Sequence, residues 1–206
     1  MANSDTPPTE TLSDRIANAL TEQIVRGDLA PGEKLRQDHI AQAHNASHVP
    51  VREAFLRLVA KGLATNEPRR GVRVAPLSRD DMREVLDMRL ALEVLALRHA
   101  APVMAPADFA RVDAARISCD TADNRLDWEI HNRGFHYALV SPCAMPRLLA
   151  EIGTLQLLSA RHFHATWRAD WESRTDIDHR NILSALLRKD TEAAVAILIR
   201  HLQRLR

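Results

Sequence analysis

Hydrophobic residues recur along most of this chain at the three- and four-residue spacing that is typical of amphipathic helices. In the N-terminal third, this spacing predicts helices over residues 12–27, 36–44 and 47–61. The third helix has a buried stripe made of Val51, Ala54, Phe55, Leu58 and Val59. Residues 63–75 alternate loosely between apolar and polar instead, which favours two short strands.

Turn and capping residues sharpen the third predicted helix. Asn45 tolerates the left-handed backbone that the turn between two such helices needs. Ser47 can cap the helix start, Pro50 suits its first turn, and Gly62 can end it. The two strands that follow enclose a basic turn at residues 68–71, so the region predicts a winged helix–turn–helix.

From residue 79 onward the sequence shows only helical spacing. The predicted helices span residues 79–101, 107–119, 123–140, 146–168, 174–188 and 191–205. The first of them has an apolar stripe formed by Met82, Val85, Leu86, Leu90, Val94 and Leu97. Helices of these lengths with short connections are typical of an antiparallel bundle.

The predicted fold is therefore mainly α, with an N-terminal winged helix–turn–helix and a C-terminal all-α antiparallel bundle of about six helices. We predict a disordered tail at residues 1–11, a winged domain at 12–75, a linker at 76–79 and a bundle at 80–206. The composition agrees, because 4% aromatic residues and 6 glycines favour helices over sheets.

Positive charge is concentrated locally, although the formal net charge is only +1. The segment 47–73 contains six arginines and lysines against two acidic residues. Such a surplus favours a surface that faces phosphates. A solvated helix face is the alternative interpretation of the charge alone.

The remaining composition points to the cytoplasm. Cys119 and Cys143 do not form a disulfide framework, and a reducing compartment is expected. No apolar run approaches the roughly 18 residues of a membrane span, so no membrane partner is expected. Residues 1–11 lack the basic start and apolar centre of a signal peptide.

Several stretches of the chain resemble a known family. Residues 24–35 (IVRGDLAPGEKL), 47–54 (SHVPVREA) and 70–74 (RGVRV) resemble the DNA-binding domain of GntR-type bacterial regulators. The second domain resembles the effector domain of the FadR branch of that family. The residues that carry this second likeness are Arg89, Glu93, Phe135, His136, the run 178–186 (DHRNILSAL), His201 and Leu202. Six C-terminal helices are similar to the shorter, VanR-type subgroup.

The resemblance implies a role in DNA binding for the start of the third helix and for the wing. The implied DNA-binding residues are Ser47, His48, Val49, Arg52, Arg57, Arg69, Arg70 and Gly71. Arg52 matches the second arginine of the family's motif and is the leading candidate for a base or phosphate contact. A bidentate Arg–guanine pair would contribute about 1–3 kcal/mol of discrimination. His48 departs from the family's usual arginine and has a shorter reach. The implied partner is a palindromic double-stranded operator bound by a homodimer.

The resemblance also implies a divalent metal, most readily Zn or Ni, in the second domain. The ligands it implies are Asn132, His136, His179 and His201. Asn132 and His136 are one helical turn apart, so both can face one ion. The neutral Asn132 predicts weaker binding than an aspartate. The rival ligands, which lack the matching positions, are His131, His162 and His164. They are expected to be ordinary helix residues, or His162 to line the pocket.

Two arginines are the candidate effector-binding residues. Arg89 lies on an otherwise apolar helix face, and a buried arginine needs an anionic partner. That partner is either Glu93, four residues later, or the carboxylate of a small organic acid. Arg161 is the second candidate clamp.

These observations predict a ligand-responsive transcriptional regulator, with repression relieved by the effector as the favoured mode. A constitutive DNA-binding dimer with a degenerate effector site remains an alternative, because Asn132 is neutral. A metal-dependent helical enzyme is the other alternative. It is disfavoured because no general base accompanies the histidines and an enzyme would not need the winged domain.

Overall fold

Helical spacing in the sequence is realised as nine α-helices and one two-stranded sheet in the residues that the structure describes. The structure is a computed structural model, and it describes residues 10–166 and 175–204. The chain divides into two units, Met1–Leu77 and Ser78–Arg206. The prediction of a mainly α fold with a winged N-terminal region is confirmed.

The first unit contains three helices followed by a hairpin. Its elements are α1 (Leu12–Arg26), α2 (Gln37–Ala43), α3 (His48–Ala60), β1 (Ala64–Glu67) and β2 (Gly71–Val74). The buried faces of α1 and α3 pack against each other. All of these helices begin and end within one residue of their predicted limits.

The turn before α3 has the backbone conformation that the sequence predicts. Asn45 has a φ of +47°, and Gly62 has a φ of +70° just beyond the end of α3. Ser47 is the N-cap residue of α3, but its side chain makes no capping hydrogen bond, which corrects the predicted cap contact.

The hairpin forms the predicted wing. Strands β1 and β2 are antiparallel, with Ala64 opposite Val74 and Glu67 opposite Gly71. Lys34 adds an isolated antiparallel bridge to β2.

Among its described residues, the second unit contains the predicted six helices. They are α4 (Arg79–Ala100), α5 (Pro106–Asp120), α6 (Arg125–Val140), α7 (Pro146–Thr166), α8 (Ile177–Leu187) and α9 (Thr191–Gln203). Where both ends are described, the limits agree with the prediction within two residues. The predicted ends at residues 168, 174 and 205 lie outside the described residues.

Helix α4 packs against α6, α7 and α9 and so lies at the centre of the bundle. Fully buried core residues contributed by the bundle helices include Leu97, Phe135, Leu139, Ile152, Ile182 and Leu198. The buried face of α4 differs from the predicted apolar stripe, because Arg89 and Glu93 are buried on it while Leu90 and Val94 are only half-buried.

Two predicted boundaries can be compared with the structure. Residues 1–9 of the predicted tail lie outside the described residues, whereas Thr11 already caps α1 in a capping box with Asp14. Ser78 and Arg79, of the predicted linker, are the N-cap and first residue of α4. None of the described helices is both long enough and apolar enough to cross a membrane.

Candidate metal centre and nucleic-acid interface

Three of the predicted metal ligands meet inside the second unit. His136 lies on α6, His179 on α8 and His201 on α9, and all three are buried. One ligand nitrogen of each lies within 4.8 Å of the others. Packing also holds the His179 ring in place, because it stacks on Phe135 with ring centroids 3.8 Å apart.

A hydrogen bond to Glu93 prepares His136 as a ligand. His136 Nδ1 lies 2.8 Å from Glu93 Oε2, and neither side chain is exposed. Burial opposes the ionisation of Glu93, but the charges of Arg89 and His136 outweigh it and hold the pKa of Glu93 below its usual range. An ionised carboxylate only accepts, so Nδ1 donates and Nε2 is the ring nitrogen left to face an ion. That Nε2 is buried and makes no hydrogen bond with described residues.

The other two histidines are held in the neutral form that binds metals. Burial, followed by the charges of His136, His201 and Arg116, lowers the pKa of His179 far below its usual value. Burial and the charge of His136 lower the pKa of His201 to about 4. Both ring nitrogens of His179 are buried without a hydrogen-bond partner among the described residues. Such unpaired buried groups are costly unless something binds them.

Asn132 completes the predicted ligand set. It lies one turn before His136 on α6, and its Oδ1 is buried with no hydrogen-bond partner among the described residues. One amide oxygen and three imidazoles are suitable donors for a divalent transition metal. The residues present therefore fit the implied metal.

Two carboxylates beside the histidines were missed by the sequence analysis. Asp176 Oδ2 lies 3.8 Å from His179 Nε2 and 3.9 Å from His201 Nδ1. Asp178 Oδ2 lies 3.6 Å from the same His201 nitrogen. The available signal was local: Asp176 is the N-cap of α8, three residues before His179.

Arg89 pairs with Glu93, which was the predicted alternative to an effector carboxylate. Its Nε donates to Glu93 Oε1 at 3.0 Å, and its Nη1 donates to Ser159 Oγ at 2.8 Å. Gln156 also donates to Glu93 Oε1, at 3.3 Å. Arg89 and His136 therefore share one buried carboxylate. Arg161, the second candidate, is buried on α7, and burial lowers its pKa.

The three rival histidines of the sequence analysis do not join the candidate metal groups of the described residues. His164 is buried, with Nε2 3.7 Å from Glu129 Oε2. His162 is half-buried, and both burial and Arg79 lower its pKa. His131 is half-buried on α6.

In the first unit, the start of α3 presents an exposed polar surface. Ser47, His48 and Val49 are exposed, as is Arg52 one turn later. The carbonyl of His48 accepts a hydrogen bond from Gln37 Nε2 at 3.2 Å, which fixes the helix start against α2. A groove beside this surface is lined by residues of α2, α3, the wing and the segment just before α2, among them Lys34, Arg36, Arg52 and Gly71.

The wing tip adds further positive charge. Arg69 and Arg70 are both exposed, and Arg69 has a φ of +65° at the turn. Gly71 follows with a φ of +83°, a conformation that glycine adopts without strain. Glu67 lies 3.8 Å from Arg70 Nη1 and 3.6 Å from Arg73 Nε, so it neutralises part of this charge.

Arg57, another predicted DNA contact, has an ion-pair partner within the winged domain. Its guanidinium pairs with the Asp14 carboxylate at the start of α1. The side chain lies on the half-buried side of α3 and connects that helix to α1. This ion pair indicates that Arg57 contributes to the packing of the winged domain.

Comparison with known families agrees with this two-part architecture. Residues 12–74 match the family described as bacterial regulatory proteins, gntR family, and residues 84–204 match the FCD domain. The chain belongs to the GntR family. It is a bacterial DNA-binding transcriptional regulator with an FCD effector domain, and the prediction that it is not an enzyme is confirmed by that membership.

Individual relatives extend over most of this GntR-family chain. It is 29% identical over 204 residues to the HTH-type transcriptional repressor GlaR of Escherichia coli (strain K12), covering 89% of each protein. It is 31% identical over 195 residues to the uncharacterized HTH-type transcriptional regulator BphR of Paraburkholderia xenovorans (strain LB400), covering 89% of this chain and 79% of BphR.

Solved structures share the fold. The E. coli McbR/YncC structure aligns with a TM-score of 0.79 at 24% identity, over 94% of both chains. A putative GntR regulator from Rhodococcus sp. RHA1 aligns with a TM-score of 0.75 at 26% identity, over 93% of this chain and 94% of the other.

Proposed function

We propose that this GntR-family regulator is a repressor that a small carboxylate effector releases from its operator, and that its FCD domain holds a divalent metal, Zn or Ni. The observation that carries the proposal is the convergence of three buried imidazoles whose nitrogens include unpaired ones. The DNA-binding part rests on the exposed start of α3 and on the wing.

The proposed operator is palindromic and is bound by a homodimer. Each winged domain would place the first turn of α3, with Ser47, His48, Val49 and Arg52, in the major groove. The exposed Arg69 and Arg70, with Gly71 following them as the first residue of β2, would reach the minor groove. Arg52 is the best base-reading candidate, because it is exposed on α3 and lines the groove beside the wing.

The proposed metal ligands are Asn132, His136, His179 and His201. Their donor atoms suit a zinc-like ion, and the ion would supply an open position that a ligand carboxylate can occupy. Glu93 orients His136 through the 2.8 Å hydrogen bond, as carboxylates commonly do for metal-bound histidines.

Arg89 and Arg161 are the proposed effector contacts. Both are buried arginines on helices that line the interior of the bundle, α4 and α7. Arg89 already donates to Glu93 and Ser159, so an effector carboxylate would join an existing charged network. Effector binding relieves repression only if the effector binds the DNA-incompetent state more tightly than the competent one.

Selection of bound sequences from random duplex DNA tests the DNA-binding part. We expect a palindromic consensus for the wild-type protein, and a roughly 10- to 100-fold loss of affinity for it in Arg52→Ala, because a bidentate base contact is worth about 1–3 kcal/mol. Arg57→Ala is the matched control on the same helix, since Arg57 is engaged with Asp14. Equal affinity for the Arg52→Ala and wild-type proteins would contradict the proposed surface.

Elemental analysis, combined with a thermal-shift screen of small carboxylic acids, tests the sensing part. We expect one equivalent of metal per chain. We also expect one class of acid to raise the melting temperature, and a chelator to abolish that increase. The same acid is expected to release the protein from its selected DNA sequence. Metal-free protein that no acid stabilises or releases would instead indicate a constitutive DNA-binding dimer.

A further inference from the structure

The proposed metal site lacks a negatively charged ligand. Asn132, His136, His179 and His201 are all neutral donors, so a bound divalent ion would keep its full charge inside the bundle. Burying an unbalanced charge is costly, and carboxylates usually provide the balance. Three carboxylates lie near the histidines, and their existing partners distinguish them.

Glu93 and Asp178 already pair with arginines. Glu93 accepts from Arg89 Nε at 3.0 Å, so the charge of Arg89 offsets it. Asp178 pairs with Arg204 Nη1 at 2.7 Å and with Arg200 Nη2 at 3.3 Å. Both carboxylates therefore have cationic partners among the described residues without any metal.

Asp176 has a different set of contacts. Its Oδ1 accepts hydrogen bonds from the backbone N–H groups of Asp178, at 2.9 Å, and His179, at 3.2 Å, which caps α8. Its Oδ2 forms ion-pair contacts only with imidazoles among the described residues, at 3.8 Å from His179 Nε2 and 3.9 Å from His201 Nδ1.

These distances suit a shared ion. Two neighbouring ligand atoms that each lie about 2.0–2.2 Å from one metal ion are roughly 3.0–3.4 Å apart, depending on the coordination number. Asp176 Oδ2 therefore needs to approach the two nitrogens by less than about 1 Å. The helix cap holds the other carboxylate oxygen and so fixes the direction in which Oδ2 points.

We infer that Asp176 is the anionic ligand of the metal site and binds the ion through Oδ2 beside His179 and His201. This inference rests on the metal site of the proposed function. It assigns the compensating negative charge to the N-cap of α8 rather than to the α6 position occupied by Asn132.

Zinc affinity of the full-length apoprotein tests the assignment by competition with a chromophoric chelator. Asp176→Asn keeps a capping side chain but removes the charge, and Asp176→Ser is a second capping variant without a carboxylate. Asp190→Asn is the matched control, because Asp190 caps α9 through the same kind of bond to Ala193 N. We expect both Asp176 variants to bind Zn²⁺ at least tenfold more weakly, and the Asp190 variant to bind as the wild type does.

The visible spectrum of the Co²⁺-loaded protein separates a direct ligand from a nearby charge. Loss of a ligand changes the d–d bands in the Asp176 variants, whereas loss of a remote charge leaves their shape unchanged. Unaltered affinity, or weaker affinity with an unaltered spectrum, would overturn the assignment of Asp176.

His179→Ala distinguishes failure of this assignment from failure of the proposed function. If the wild type binds Zn²⁺ and His179→Ala does not, the metal site stands whatever the Asp176 variants show. If the wild type and His179→Ala bind Zn²⁺ equally poorly, the site itself is refuted, and the role of Asp176 with it.

Discussion

Replacing Glu93 with glutamine should destabilise the FCD domain more than any ordinary surface change. Glu93 is fully buried and Arg89 is 4% exposed, so Glu93→Gln leaves a guanidinium in the bundle without its counter-charge. Removing one partner of a buried pair costs about 3–5 kcal/mol. Since domains are stable by about 5–15 kcal/mol, this is a substantial part of the total.

The pair formed by Glu192 and Arg98 provides a matched control. It also joins a glutamate to an arginine through two hydrogen bonds, at 3.2 and 2.9 Å. However, the Arg98 side chain is 51% exposed and the Glu192 side chain is 72% exposed. Water therefore screens the charge that remains in Glu192→Gln, and the unfolding midpoint of that variant should stay close to that of the wild type.

Urea unfolding followed by circular dichroism, with a chelator present, measures both effects without a contribution from bound metal. The double variant Arg89→Met/Glu93→Gln should recover much of the lost stability, because it removes the unpaired charge and keeps an amide beside His136. The reasoning is refuted if Glu93→Gln is no less stable than Glu192→Gln, or if the double variant is no more stable than Glu93→Gln alone.

Two further substitution and labelling experiments have expected outcomes. Burial, followed by the charges of Asp120 and Asp176, raises the pKa of Cys119 to about 12. Iodoacetamide at pH 8 should therefore label only Cys143 in the native protein and both cysteines in urea. Mass spectrometry measures the labelling, and labelling of Cys119 in the native protein would contradict the prediction. Gly71→Ala should lower the stability of the winged domain by about 1–2 kcal/mol, because the φ of Gly71 is +83°. The control Gly153→Ala, in a helix with open space around it, should cause no such loss. Thermal unfolding compares the two variants, and equal melting temperatures would contradict the prediction.

The helices were predictable because their signals are local. Apolar spacing, Asn45 at the turn and Gly62 beyond α3 all act within a few residues of the element that they define. For the same reason, the observed limits of α3 agree with the predicted limits to within one residue at each end. The absence of a capping hydrogen bond from Ser47 was not predictable. The sequence shows that a serine is present at the N-cap, but it does not show which rotamer the side chain adopts.

The candidate metal site was only partly predictable, since its contacts join distant parts of the chain. The spacing of Asn132 and His136 within one helix could be read directly. Glu93 lies 43 residues before His136, and nothing in either segment indicates that α4 and α6 bring them together. Arg57 shows the same limit, because its partner Asp14 also lies 43 residues away.

The shared carboxylate of Glu93 has a consequence for how the two candidate sites respond to mutation. One oxygen accepts from Arg89, a proposed effector contact, and the other accepts from His136, a proposed metal ligand. Residues in one hydrogen-bonded network have non-additive effects, commonly by about 0.5–3 kcal/mol. A substitution of Arg89 therefore also changes the electrostatic environment that orients His136. Loss of effector response in an Arg89 variant thus identifies an effector contact only when its metal affinity is unchanged, and double-mutant cycles with Glu93 are needed to separate the two roles.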